Sequence, residues 1–171
     1  MSIVNVFVEI PAGSHNKYEW DHEVGGFVLD RVLFSPMFYP GDYGFIPNSL
    51  GGDGDPLDVL ILMSHPTFPG CTVPTKVLGM LDMADDKGED QKIVGVSAND
   101  PRWSHCETLA DLPPHVLREV EHFFARYKDL ENKAVEIRGW RDRDAAESEI
   151  AQALANYEAA DPKPAMPGQS H

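Results

Sequence analysis

Three carboxylates stand within six residues in Gly52-Asp53-Gly54-Asp55-Pro56-Leu57-Asp58, and the chain then runs on as Val59-Leu60-Ile61-Leu62. Asp58 is the telling residue. It lies between Leu57 and an apolar run, where an unpaired charge is costly to bury. A metal ion or another cation would remove that penalty. The plainer reading is an Asp/Gly/Pro turn leading into a buried strand, since those residue types form turns readily. Asp58 weighs against that reading without deciding the matter. An EF-hand loop is excluded, because it needs glycine where Asp58 stands and an oxygen ligand where Leu57 stands.

A second acidic cluster, Asp82-Met83-Ala84-Asp85-Asp86-Lys87-Gly88-Glu89-Asp90-Gln91-Lys92, reads as a hairpin tip, which by itself is usually solvated surface. Asp90 and Lys92 share a face there, because strand residues two apart point the same way. A third set comprises Glu9, Lys17-Tyr18-Glu19 and Arg31. Glu9 and Arg31 each interrupt an apolar strand, so each needs a partner or an open cavity, and a salt bridge between the two would suffice. Tyr127-Lys128-Asp129-Leu130 ends a helix, where a lysine also matches the helix dipole.

The elements that must position these groups are mostly strands. Ile3–Ile10 alternates, with Val4, Val6, Val8 and Ile10 on one face. Further strands are expected over Phe27–Phe34, Leu57–Met63, Thr72–Met83, Lys92–Ser97 and Lys133–Trp140. Clusters such as Tyr39-Pro40-Gly41-Asp42 and Phe68-Pro69-Gly70 read as turns. Apolar residues at helical spacing predict helices over Pro114–Leu130 and Asp144–Ala159, the second with Ala146, Ile150, Ala153, Leu154 and Tyr157 on one face. This pattern predicts a single domain over residues 1–160, an α+β but mainly β fold in which a small barrel carries helices on its outside. Residues 161–171 are rich in proline, can bury little, and read as a flexible tail.

Composition narrows the function classes. The 171 residues include 28 Asp and Glu against 14 Lys and Arg, a formal net charge of −14. Without a basic groove such a surface repels nucleic acid and anionic lipid, so neither is expected as a partner. No apolar run reaches the ~18 residues of a membrane span. The first residues carry no basic, apolar leader, which predicts a cytoplasmic protein. Cys71 and Cys106 lie far apart and the histidines show no zinc-type spacing. Nucleophile-elbow, Walker, zincin and dinucleotide motifs are all missing.

Taken in order, seven segments resemble the family I soluble inorganic pyrophosphatases of the short bacterial type. They are Val8-Glu9-Ile10-Pro11, Lys17-Tyr18-Glu19, Asp30-Arg31, Phe38-Tyr39-Pro40 with Asp42-Tyr43-Gly44-Phe45-Ile46, the Asp53–Asp58 signature, Gly88-Glu89-Asp90-Gln91-Lys92, and His122-Phe123-Phe124 through Glu131. Phe45 stands where a tyrosine is common in the family. The resemblance implies a five-stranded OB-type β-barrel with flanking α-helices, a homohexamer, and Mg²⁺-dependent hydrolysis of pyrophosphate, with several ions per site and Mn²⁺ or Zn²⁺ as substitutes. It implies Asp53, Asp58, Asp85, Asp90 and Glu19 as metal ligands, with Asp58 bridging two ions, and Asp55 as general base. Lys17, Arg31, Tyr43, Lys92, Tyr127 and Lys128 would grip phosphate, with Glu9 and Tyr39 behind them. His22 is placed near Glu19 at the site's edge. Two rivals share the scaffold. An OB-type nucleic-acid binder would need a basic groove with stacking aromatics, and a catalytically dead ion-binding module would keep the ligands without turnover.

Overall fold

A computed structural model describes residues 3–167. Nine strands precede or alternate with two α-helices: β1 (Ile3–Ile10), β2 (Asn16–Asp21), β3 (Gly26–Val32), β4 (Asp42–Phe45), β5 (Asp58–Leu62), β6 (Thr72–Asp85), β7 (Gly88–Glu89), β8 (Lys92–Ser97), α1 (Pro114–Arg126), β9 (Glu136–Arg141) and α2 (Arg143–Ala159). The main sheet runs β1-β4-β5-β8-β6, and β6 pairs back onto β1, so five strands close into a ring. β5 and β8 are parallel and the other ring pairs antiparallel. This is the OB-type barrel expected. β7 and β9 extend from β6, while β2 and β3 form a separate hairpin.

Both faces of β4, β5 and β8 are almost wholly buried, which explains the unbroken apolar run of β5. Val59 and Ile61 pack with Ala146, Ile150 and Ala153 of α2, whereas Leu60 and Leu62 pack with Val120, Phe123 and Phe124 of α1. β1 departs from the simple alternation expected of it. Val6 and Val8 join the α2 side, but a register shift between Val8 and Ile10 places Ile10 in the α1 cluster. The same irregularity frees Glu9 from the ladder's strict in-and-out pattern.

β4 was not among the expected strands and begins at Asp42, the last residue of the expected turn. Its four residues are all buried, and Gly44 crosses β1 so closely that a Cβ there would lie 1.9 Å from the Phe7 carbonyl oxygen. No other residue fits that crossing. The β2 strand was also not anticipated, because its six residues are all half-buried and carry no alternation of burial. α1 stops at Arg126 rather than Leu130. A 3₁₀ turn over Asp129–Glu131 follows and ends on Asn132 at φ +56°, which lifts Lys128 off the helix. Leu154 of α2 is exposed, unlike its predicted neighbours. Met166 is only 3% exposed and packs with Phe45 and Tyr157, while residues 168–171 lie outside the described residues.

Candidate active site

The floor of the site follows from strand register. In the ladders, Asp58 faces Phe45 of β4 on one side and Lys92 of β8 on the other. Lys92 is 2% exposed, and its ammonium donates to Asp58 Oδ2 at 2.7 Å, Asp90 Oδ1 at 2.8 Å and Tyr43 Oη at 2.9 Å. All three protons are used. Burial alone would depress the Lys92 pKa, but Asp58, Tyr43 and Asp90 together raise it well above the usual lysine value. The charge that Asp58 demanded is therefore met within the chain. Asp90 remains poorly compensated: burial raises it to about 6, Lys92 pulls it down, and Asp58 pushes it up again.

Above the floor, the Asp53–Asp58 loop is folded by its own carboxylate. Asp53 Oδ1 accepts from the Asp55 amide at 3.0 Å, the Gly51 amide donates to the Asp55 carbonyl at 2.7 Å, and Gly54 takes φ +84°. That fold leaves the Asp55 side chain exposed over the cavity. Burial raises the Asp53 pKa.

Asp85 comes from the end of β6. Burial works to raise its pKa, yet the Lys87 amide at 2.8 Å and the Lys128 ammonium at 3.6 Å hold it below the ordinary carboxylate value. The β6–β7 turn that carries it is pinned from β9, where Arg138 grips both oxygens of Glu89 at 2.7 and 2.8 Å.

The β2–β3 hairpin supplies the rim. Lys17 bonds Glu19 and lies 3.3 Å from Asp30. Arg31 joins Asp30 through Nη1 at 2.5 Å and forms an ion pair with Glu131 through Nε at 3.1 Å, the latter outside hydrogen-bond geometry. Glu9 and Arg31 thus do not pair with each other. Glu9 instead accepts from the Trp20 amide at 2.9 Å, docking β2 on β1, and burial raises its pKa to about 7.

One cavity of about 540 Å³ gathers nearly all these groups. Asp53, Asp55, Asp58, Asp85, Asp90, Glu9 and Glu19 line it, as do Lys17, Lys92, Lys128, Tyr43, Tyr127 and His22. Arg31 and Tyr39 lie outside the lining. Arg31 stands behind Lys17 on the shared Asp30, and Tyr39 is buried against Tyr43, Phe123 and Tyr127. Sequence reasoning missed Trp20, Leu50, Lys87 and the Pro164–Pro167 stretch, all of which line the cavity. Nothing in a half-buried strand or a proline-rich end signals such a place.

The lining suits hard divalent cations. Its seven carboxylates face four lysines, a deficit of three positive charges, and burial, with neighbouring carboxylates adding to it, raises the Glu9, Asp53 and Asp90 pKa values. Among the described residues no three acidic, histidine or cysteine side chains close on one point. Oxygen donors of this kind match magnesium, manganese or calcium better than softer metals.

The family model described as inorganic pyrophosphatase matches residues 6–158. The chain belongs to the inorganic pyrophosphatase family. An inorganic pyrophosphatase of Halalkalibacterium halodurans is 54% identical over 155 residues, covering 91% of this chain and 95% of that one. One from the archaeon Methanosarcina mazei is 51% identical over 152 residues, covering 89% and 90%. Among solved structures, the inorganic pyrophosphatase of Thermus thermophilus superposes with a TM-score of 0.89 at 48% identity, covering 92% of each chain. The charged groups of the cavity, from Glu9 to Lys128, fall inside the matched range; Pro164–Pro167 falls outside it. No described helix is long and apolar enough to cross a membrane.

Proposed function

We propose that this chain hydrolyses inorganic pyrophosphate to two orthophosphates with Mg²⁺, and thereby pulls forward biosynthetic reactions that release pyrophosphate. The observation that carries the reading is the single cavity in which seven carboxylates meet four lysines and three tyrosines around the buried Lys92. Asp53, Asp58 and Asp90 would hold one ion with Asp58 shared to a second, Asp85 and Asp90 a further one, and Glu19 another. When bound, such ions neutralise the phosphates and lower the pKa of a coordinated water; Mn²⁺ or Zn²⁺ would be the substitutes.

The chain's own groups do the rest. Asp55, exposed over the cavity, takes the proton of the attacking water. Lys17, Lys128 and Tyr127 bind the phosphate oxygens from the walls, with Tyr43 and Lys92 beneath them. Arg31 is the cross-strand partner of Lys17 in the hairpin and reaches phosphate by exchanging its Asp30 and Glu131 partners. Glu9 fixes β2 through the Trp20 amide and keeps the rim over the floor, and Tyr39 packs behind Tyr43 and Tyr127. Catalysis here is positioning and charge neutralisation, the usual needs of phosphoryl transfer. A homohexamer in the cytoplasm completes the reading. Phosphate release from pyrophosphate, measured with and without magnesium, tests it: rapid release only with the metal is expected, and no release under either condition refutes it.

A further inference from the structure

Residues 161–167 follow α2 and lie beyond the range that the family shares. They nevertheless have a seat. Tyr157 Oη donates to the Pro164 carbonyl at 3.1 Å, and Lys163 bonds Glu158 at 2.7 Å while lying 5.6 Å from the Tyr157 ring. Met166 is buried against Tyr157 and Phe45, with Leu50 and Phe7 beside them. Phe45 is the ladder partner of Asp58, so the segment is built onto the strand pair that carries the central carboxylate. Three prolines in seven residues limit its freedom.

Pro164, Ala165, Met166 and Pro167 thereby line the cavity along with its acidic and basic groups. This stretch offers an anion no charge, since Lys163 is spent on Glu158 and Tyr157. A diphosphate finds all its partners among the charged groups and tyrosines. A third phosphate, or any group esterified to the second, would be pushed against apolar atoms and lose hydration without a partner. We propose that Pro164–Pro167, seated by Met166, is a specificity wall that confines the cavity to a free two-phosphate anion. This inference rests on the pyrophosphate reading.

Two variants test it: the chain ended after Ala160, which keeps α2 and the whole family-matched range, and Ala165→Lys in the full chain, where the exposed Ala165 leaves room and the new ammonium offers a third phosphate a partner. Hydrolysis of pyrophosphate and of tripolyphosphate is measured at equal free magnesium, alongside their affinities by titration calorimetry. Each variant should raise kcat/KM for tripolyphosphate relative to pyrophosphate by about tenfold, a modest but readable share of pocket discrimination. An unchanged ratio in folded variants that still hydrolyse pyrophosphate overturns the wall and leaves the pyrophosphate reading standing. Should the full chain hydrolyse neither anion, the pyrophosphate reading fails, and the affinity ratio decides the wall: a shift toward tripolyphosphate in the variants supports it, and equal ratios, or binding of neither anion, overturn it.

Discussion

The floor and the rim of the cavity are built on different principles. The floor is ladder-made: Asp58 and Lys92 are register partners in adjoining parallel strands, so the 2.7 Å contact is fixed by the barrel itself. The rim is a two-stranded hairpin outside the main sheet, docked by Glu9 on the Trp20 amide and by the rings of Phe7, Trp20 and Phe27. An error in the floor therefore strikes stability and chemistry together, whereas an error in the rim or the loop above it strikes chemistry with the fold intact. The site places a rigid charge cluster beneath groups that can still move toward substrate.

Asp55→Asn should show that separation most strongly. With the exposed carboxylate gone, kcat should fall roughly 10²–10⁴-fold, the usual share of a general base, while the melting temperature stays near that of the wild type. Steady-state kinetics with a thermal melt check it, and turnover within a few-fold of wild type would remove Asp55 from the proton-transfer role.

Lys92→Met attacks the floor. It strands Asp58 and Asp90 without their shared cation, and breaking such a buried group costs about 3–5 kcal/mol. Urea unfolding in chelator should show that loss, with magnesium restoring part of it. A variant as stable as wild type in chelator would mean that the floor is not held by its charges.

Arg31→Lys probes the rim. A guanidinium spans Asp30 and Glu131 and can fork onto two phosphate oxygens, whereas an ammonium makes one such contact at a time. Losing one charge-assisted bond of about 1.5–3 kcal/mol should cut kcat/KM roughly 10–100-fold. Stability should hardly change, since one partner is kept. Normal kinetics with a lowered melting temperature would reverse the comparison and make Arg31 structural.

The last effect expected is in the pH dependence of the metal-free fold. Burial raises Glu9 from an unfolded value near 4.5 to about 7. The folded state then holds the proton that the unfolded state has released, so stability falls as pH rises from about 4.5 to about 7. Glu9→Gln should flatten that part of the curve in chelator, as read by urea midpoints at pH 5 and pH 7.5. An unchanged slope would assign the pH dependence to Asp90, raised to about 6, instead.

The amino-acid sequence by itself determined much of this protein. The order of its motifs indicated the family, and the alternation of β1, the apolar run of β5 and the periodicity of α1 and α2 were local enough to be read without coordinates. Asp58 was visible as a misplaced charge because burial cost is a property of residue type and neighbours. The tertiary structure alone decided what answers that charge. Lys92 is 34 residues away in sequence and became its partner through parallel register, which no local pattern encodes. β4 escaped notice because Pro40-Gly41-Asp42 reads as a turn, while the reason for Gly44 is a strand crossing from β1. The proline-rich end carried no periodicity, so its place beside the site depended on one buried methionine meeting Phe45 and Tyr157. Local propensity and burial cost travel with the residue; register, crossing and docking exist only once distant segments meet.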